Sequence, residues 1–252
     1  MKSRKLTCVV ALILFAAVPT ALASTTWYVN GVSGSNSNNC LSASTPCKTI
    51  GHAIYLAHSG DSIRVAAATY TGGLTIPKSR NLTIVGSGAI KTIIDGHNHG
   101  PVLAIPPNSR VIISGITIRN GQALYGAGIR NSGVLTVSRS ILVGNVAFDG
   151  CGDGCSSFSS GRGGAVFNTG TMIISNSTLT QNSASKCIPI FFPRPHIVCS
   201  GLGGGIWNAG TLTINDDTLS ANGFDQGRGD QGRGGGIFNV GGIVTVTTAP
   251  SA

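Results

Sequence analysis

The chain has 252 residues, a formal charge of +9, 37 glycines and eight acidic residues, all of them Asp. Three of the charges lie within the first five residues, and the remaining basic residues are scattered without neighbouring aromatics, which argues against nucleic acid as a partner. The mean hydropathy of +0.26 excludes a disordered chain, and the absence of Glu favours strands and turns over helices.

Residues 1–23 predict a secretory signal peptide. Three basic residues precede an apolar run from Leu6 to Val18, and the small residues of Ala21–Ala23 form a cleavage site. The run is too short to cross a bilayer, and no later stretch is apolar enough. We therefore expect a soluble, secreted or cell-surface product with no membrane span.

Residues 24–61 predict an N-terminal strand and a short capping helix. Four apolar residues recur at helical spacing, namely Ile50, Ala53, Ile54 and Ala57. Thr49 is a suitable N-cap and Gly60 a suitable end. A helix at this place would cover the apolar end of a stacked array.

Residues 62–252 predict that array. Strand candidates separated by turn residues lie at Ser62–Val65, Leu74–Ile76, Leu82–Val85, Thr92–Ile94, Val102–Ile105 and Val111–Ile118. Four copies of one motif follow, GAGIRNSGVLTVS, GGAVFNTGTMIIS, GGGIWNAGTLTIN and GGGIFNVGGIVTV. Their anchor residues are Ile129, Val166, Ile206 and Ile237. The fixed motif and variable loops indicate a repeat architecture.

Each repeat divides into three strand-like pieces with no helix between them, as at Gly205–Trp207, Thr211–Ile214 and Thr218–Ser220. Apolar residues alternate with threonine within the second piece, so one face points inward. Three strands in each turn predict an all-β parallel β-helix of about seven coils. A leucine-rich horseshoe is the rival array, but its pattern is missing.

Two sets of asparagines recur in the repeats and indicate ladders at turns rather than ligand binding. One set comprises Asn120, Asn145, Asn182 and Asn222, and the other comprises Asn131, Asn168, Asn208 and Asn239.

Six cysteines outside the signal peptide form three local pairs: Cys40 with Cys47, Cys151 with Cys155, and Cys187 with Cys199. In an exported chain this spacing predicts disulfides that each close one loop. The alternative is a metal site at Cys151 and Cys155, which lacks a second Cys or His pair nearby in the sequence.

The segments PCKTIGHAI, GDSIRVAAATY, LTIVGSG and IIDG resemble the opening of secreted right-handed parallel β-helix proteins of the pectate-lyase-like superfamily. The GAGI, GGAV and GGGI segments are similar to the repeats of polymorphic outer-membrane proteins. The resemblance covers most of residues 27–246 and implies the right-handed form of the fold. It leaves function open, because that superfamily contains lyases, hydrolases, adhesins and coat proteins.

Catalytic candidates are few. A lyase needs calcium held by several carboxylates, and a β-helix hydrolase needs paired Asp residues. The adjacent pair Asp216-Asp217 occupies the repeat positions of Arg139-Ser140, where a solvated bend is the alternative. A metal site at Asp95, His97 and His99 is a second candidate, although the glycines beside them favour a turn.

Binding candidates are of two kinds. Arg228-Gly229-Asp230 lies in a Gly-rich loop and matches an adhesion motif, or matches it by chance. Phe167, Trp207 and Phe238 recur one residue after the inward aliphatics. They predict an outward aromatic ladder that stacks on sugar rings, or a packing surface beneath the inserts.

These patterns favour a surface or extracellular binding module for polysaccharide, with a polysaccharide lyase or hydrolase as the alternative. No cofactor is expected, apart from calcium if the protein is a lyase. The array runs through Ile243–Val246 without a polar cap, which predicts an open end, a truncated member of a longer family, or end-to-end association.

Overall fold

The computed structural model describes residues 24–148, 161–185, 187–190, 196–199, 201–223 and 234–248, and three parallel sheets dominate them. Sheet 1 contains, in spatial order, Thr26–Val29, Ser62–Val65, Asn81–Gly86, Arg110–Ser114, Val134–Ser138, Thr171–Ser175, Thr211–Asn215 and Ile243–Thr247. Sheet 2 contains Ala68–Thr71, Thr92–Asp95, Thr117–Arg119, Ile141–Val143, Thr178–Thr180 and Thr218–Ser220. Sheet 3 contains Leu74–Thr75, Leu103–Ile105, Ile129–Asn131, Val166–Asn168, Ile206–Asn208 and Ile237–Asn239.

The chain passes through sheets 3, 1 and 2 in turn and then begins the next coil, so each strand pairs with its counterpart one coil away. This path confirms the predicted fold class, an all-β right-handed parallel β-helix with one short helix at its N-terminal end. The three predicted pieces of a repeat are each found as strands. Sheet 1 has eight strands among the described residues, namely Thr26–Val29 and seven strands from Ser62 onward, which agrees with the prediction of about seven coils for the array.

Smaller sheets extend some coils. Gln122–Ala123, Val146–Phe148 and Ser183–Ser185 form a fourth parallel sheet, and Gly161–Arg162 pairs in parallel with Gly201–Leu202. Cys187–Ile190 and His196–Cys199 form an antiparallel hairpin.

The core consists of columns of aliphatic side chains that the parallel register stacks one above another. In sheet 1 one such column contains Leu82, Val111, Leu135, Met172 and Leu212, all of them buried. Because side chains alternate along a strand, the residues between these positions face outward, as the repeat pattern predicts.

The corners between sheets 1 and 2 depend on residues in the left-handed backbone region. Gly115, Arg139, Asn176 and Asp216 occupy one equivalent corner and have φ values of +66°, +47°, +50° and +55°. The prediction of one continuous strand over Val111–Ile118 is therefore wrong. It breaks at Gly115 into Arg110–Ser114 and Thr117–Arg119, since the chain turns there from one sheet to the next.

Both predicted asparagine ladders are present. The amides of Asn131, Asn168 and Asn208 each donate to the next side-chain carbonyl at 2.7 Å, and these three residues are fully buried. Asn145 and Asn182 donate at 2.9 Å within the other ladder. The ladders satisfy polar groups that would otherwise be orphaned inside the array.

Asn120 does not belong to the ladder that contains Asn145 and Asn182. Its predicted position in that ladder is wrong by one residue. The pairing of Thr117–Arg119 with Ile141–Val143 places Asn120 level with Gly144, and both have positive φ. Gly121 instead lies beside Asn145, whose side chain accepts its backbone N–H at 2.9 Å.

The helix at the N-terminal end spans Ile50–Leu56 and buries Ile50, Ala53 and Ile54. Thr49 is the N-cap as predicted, accepting the His52 N–H at 3.2 Å. The predicted end at Gly60 is wrong, because Ala57 already has an extended backbone and forms the C-cap.

Asp61 holds the first strand against this end of the molecule. Its carboxylate accepts hydrogen bonds from Thr25 N–H at 2.8 Å, Trp27 Nε1 at 2.9 Å and His58 N–H at 2.8 Å. Burial raises the pKa of Asp61, but these hydrogen bonds and the charge of His58 outweigh that effect, so the pKa lies below its usual value.

The predicted disulfide between Cys40 and Cys47 is present. In the hairpin, Cys187 lies directly opposite Cys199 in the backbone register. The predicted pair Cys151 and Cys155 lies outside the described residues, as does the predicted signal peptide. None of the described helices is long and apolar enough to span a membrane.

At the far end of sheet 1, Ile243–Thr247 pairs on one side with Thr211–Asn215 and is the last strand among the described residues. Its Ile243 and Val246 side chains are 64% and 61% exposed. End-to-end association through this edge stays a prediction.

Candidate functional site

The outer face of sheet 3 carries a stack of aromatic rings. Parallel pairing places Phe167 beside Trp207 and Trp207 beside Phe238, while the alternating partners Val166 and Ile206 are fully buried. The Phe167 and Trp207 rings are stacked, with centroids 4.4 Å apart and an interplanar angle of 6°. The predicted outward direction of these residues therefore agrees with the packing.

Tyr125 and Arg162 extend this stack sideways. The Tyr125 ring lies 5.2 Å from the Phe167 ring, and the Arg162 guanidinium carbon lies 5.6 Å from both the Tyr125 and the Trp207 ring centroids. These distances are typical of cation–π contacts. We call Tyr125, Arg162, Phe167, Trp207 and Phe238 the aromatic platform.

Exposure differs across the platform. Trp207 is only 7% exposed, whereas Tyr125, Arg162, Phe167 and Phe238 are half-buried. Trp207 is therefore a covered packing residue, which is the second of the two predicted interpretations. The accessible aromatic surface belongs to Tyr125, Phe167 and Phe238.

Two polar atoms of the platform are buried and have no hydrogen-bond partner among the described residues, namely Trp207 Nε1 and Arg162 Nε. A buried donor without a partner costs about 1–3 kcal/mol. Among the described residues, these two donors are therefore unsatisfied in the interior of the platform, beneath its accessible surface.

Tyr125 and Arg162 are not among the binding residues predicted from the sequence, although the repeat pattern contains a signal for both. Tyr125 and Arg162 each stand immediately before the first glycine of a motif copy, at Gly126 and Gly163, and the two pair in parallel. Those glycines have φ values of +63° and +67°, and the turn directs the preceding residue toward the aromatic column. Aligning the copies one residue further upstream would have found both.

The candidate pair Asp216 and Asp217 lies at the corner of the β-helix between sheets 1 and 2, as the repeat alignment predicts. Asp217 Oδ1 accepts the Ser177 N–H at 2.6 Å and Oδ2 accepts the Asn215 N–H at 3.1 Å. In the preceding coil Ser177 Oγ accepts the Ser140 N–H at 3.2 Å, so Asp217 continues a ladder of side-chain acceptors. Burial raises the pKa of Asp217, the neighbouring Asp216 charge raises it further, and the two hydrogen bonds oppose both effects without cancelling them.

The three candidate metal ligands are not brought together. Asp95 is buried and is bound by Arg119 Nε at 2.7 Å, Asn120 Nδ2 at 3.1 Å and the His97 N–H at 3.0 Å, while the His97 and His99 side chains are exposed. Burial raises the pKa of Asp95, but these hydrogen bonds and the Arg119 charge lower it overall.

Metal ligands converge in one group among the described side chains, Cys40, Cys47 and His52, and its two sulfurs are joined in the disulfide. The sequence motif Arg228-Gly229-Asp230 lies outside the described residues.

No family model matches the chain, and no curated relative matches it either. Among solved structures it is similar to the YbhC protein of Escherichia coli, with 13% identity, a TM-score of 0.42, and coverage of 92% of this chain and 67% of that one. It is also similar to a mutant pectin methylesterase in complex with a hexasaccharide, with 14% identity, a TM-score of 0.31, and coverage of 80% and 82%. At these values neither likeness assigns a family or a function. The chain is a parallel β-helix that carries an aromatic platform on one face.

Proposed function

We propose that the protein is an exported binding module that holds a polysaccharide on the aromatic platform. The observation that carries the proposal is the stack of Phe167 on Trp207 at 4.4 Å, extended by Tyr125 along the outer face of sheet 3. The half-buried rings of Tyr125, Phe167 and Phe238 offer apolar surface to the C–H groups of sugar rings, and the Arg162 cation beside them favours acidic sugars.

Rigidity supports binding at this place. Phe167 and Trp207 are each borne by a strand that is paired on both sides, and the turns at Gly126 and Gly163 adjoin Tyr125 and Arg162. A preformed surface avoids the entropy cost of ordering side chains when the ligand binds. Export is consistent with the Cys40–Cys47 disulfide, because disulfides persist in oxidising compartments.

The enzyme alternative has less support. Asp217 uses both carboxylate oxygens to hold backbone N–H groups, and Asp95 is engaged by Arg119 and Asn120. Neither carboxylate has the environment of a positioned acid or base facing an open cleft.

The test is retention of the purified protein in gels that contain polygalacturonate, alginate or neutral galactan. We expect retardation by acidic polysaccharides and its loss in Tyr125→Ala and Arg162→Gln. Tyr55→Ala is the matched control, because Tyr55 is 78% exposed on the N-terminal helix, which packs at the end of sheet 3 opposite to Phe238. Equal retention of the Tyr125 and Tyr55 variants, or no retention of the wild type by any polymer, would contradict the proposal.

The same preparations are assayed for release of unsaturated or reducing sugars. Activity that disappears in Asp217→Asn, while Tyr125→Ala remains active, would favour the lyase or hydrolase over the binding module.

A further inference from the structure

A cleft of about 370 Å³ lies at the N-terminal end of the molecule, against sheet 1 and far in sequence from the platform. Its floor is the outer face of the first strands, where Tyr28, Arg64 and Val85 stand side by side in register. Its wall is the loop that contains Ala43 and Pro46. Neither the sequence motifs nor the proposed platform accounts for this cleft.

The wall is fixed before any ligand arrives. The Cys40–Cys47 disulfide closes the loop, and both cysteines are fully buried. Tyr28 N–H donates to Cys40 O at 2.8 Å, and Cys47 N–H donates to Tyr28 O at 2.8 Å, so the loop is joined to the strand that forms the floor. A loop held in this way keeps the cleft open at little entropic cost.

The polar groups of the cleft favour an anion. Arg64 is the one charged residue among those that line it, and no described carboxylate forms an ion pair with its guanidinium. The phenol of Tyr28 also has no hydrogen-bond partner among the described residues, and it lies on the neighbouring strand directly opposite Arg64. A guanidinium binds a carboxylate through two parallel N–H···O bonds, and an adjacent phenol adds a third donor.

The remaining lining combines apolar residues with the polar side chains of Asn30 and Ser87. Val85 is 39% exposed beside Arg64, and Ala43 is exposed on the loop, so both offer carbon surface to the cleft. A small ligand that carries an anionic group such as a carboxylate and presents a C–H face matches these groups. The volume is at the lower end for ligand pockets, which suits one or two sugar rings.

We propose that this cleft is a second binding site and that it takes a hexuronate unit, with the carboxylate on Arg64 and Tyr28 and the ring against Val85. The unit can be a free monosaccharide or part of an acidic oligosaccharide. The site shares no residue with the aromatic platform, so an experiment on the cleft tests this proposal independently of the proposed function.

The experiment is a titration of the purified protein with sodium galacturonate, galactose and trigalacturonate, followed by calorimetry and by amide chemical shifts. We expect galacturonate to bind and galactose not to bind, with shifts confined to residues 28–30, 43–46, 64–66 and 85–87. Arg64→Gln should weaken binding about tenfold or more, since hydrogen bonds to charged groups contribute that much.

Arg110→Gln is the matched control, because Arg110 is exposed on the same face of sheet 1 but does not line the cleft. Its binding should equal that of the wild type, and so should that of Tyr125→Ala. Binding of trigalacturonate alone, lost in Arg64→Gln, would support the site and identify the oligosaccharide as its ligand. Binding that is unchanged in Arg64→Gln, equal affinity for galactose, or no binding of either acid would overturn the proposal. Thermal unfolding of Arg64→Gln must match the wild type, and Ala43→Phe, which fills the cleft from the loop, should abolish binding in an independent way.

Discussion

Replacing Asn168 with alanine should destabilise the fold far more than the same change at the end of its ladder. Asn168 is fully buried, accepts from Asn131 Nδ2 at 2.7 Å and donates to Asn208 Oδ1 at 2.7 Å. Without it, Asn208 Oδ1 loses its donor, which costs about 1–3 kcal/mol, and Asn131 loses one bond worth about 1 kcal/mol. We expect the free energy of unfolding to fall by about 2–4 kcal/mol.

Asn239→Ala is the matched control. Asn239 is exposed, so water can replace it, and Asn208 still donates to Gly210 O at 3.1 Å. We expect a loss of about 1 kcal/mol or less. Urea unfolding followed by far-ultraviolet circular dichroism measures both variants. The reasoning is refuted if the two variants lose the same free energy, because then burial of the ladder does not matter.

A third variant separates hydrogen bonding from shape. Asn168→Asp keeps the volume, but when ionised it cannot donate to Asn208 and places a charge in the core. The buried carboxyl would have a raised pKa in the folded state. The stability of this variant should therefore be highest at low pH and be lost as pH rises through that folded pKa. A pH-independent loss would show that the ladder acts by packing alone.

Two further predictions concern the repeat corners. The pKa of Asp217 is raised in the folded state by burial and by Asp216, so the protonated form is favoured there and stability is lost as pH rises through that pKa. Asp217→Asn removes the carboxylate but can accept only one of the two backbone N–H groups, so its thermal midpoint relative to the wild type should be highest at pH 7 and should fall as pH drops toward the unfolded pKa of about 3.8. Gly203→Ala should lower the free energy of unfolding by about 1–2 kcal/mol or more, because φ is +67° and a Cβ would lie 2.3 Å from Ile206 O. Gly223→Ala should lower it less, because a Cβ at that position meets open space. Calorimetric unfolding of both variants measures the difference.

The sequence predicted the coil well because each coil repeats the same physical constraints. An inward aliphatic such as Leu135 must alternate with an outward residue, and a corner such as Asp216 must adopt a left-handed conformation, so four copies show which positions are which. The first coils lack these copies. That is why the break at Gly115 and the position of Asn120 were predicted wrongly, since neither can be located without the pairing register.

The candidate site was predicted only in part, for a different reason. The outward direction of Trp207 follows from alternation along its own strand, but its burial depends on Arg162 and Phe167, which belong to the preceding coil. The partners of Asp95 likewise come from the next coil, at Arg119 and Asn120. Such contacts between coils depend on loop length and register, and the spacing of residues in one repeat does not contain them.

The geometry of the array limits where binding can occur. Inward positions must hold similar aliphatics in every coil, because a stacked core tolerates little change in volume. Outward positions have no such requirement, and sheet 3 changes there from Ala104 to Arg130, Phe167, Trp207 and Phe238 along one column. The Phe167–Trp207 spacing of 4.4 Å is close to the ~4.8 Å between paired strands, so the backbone itself sets the stack. Trp207 is buried in this column, so Phe167 and Phe238 are the rings of the column that a ligand can contact, and a ligand that contacts both must span more than one coil.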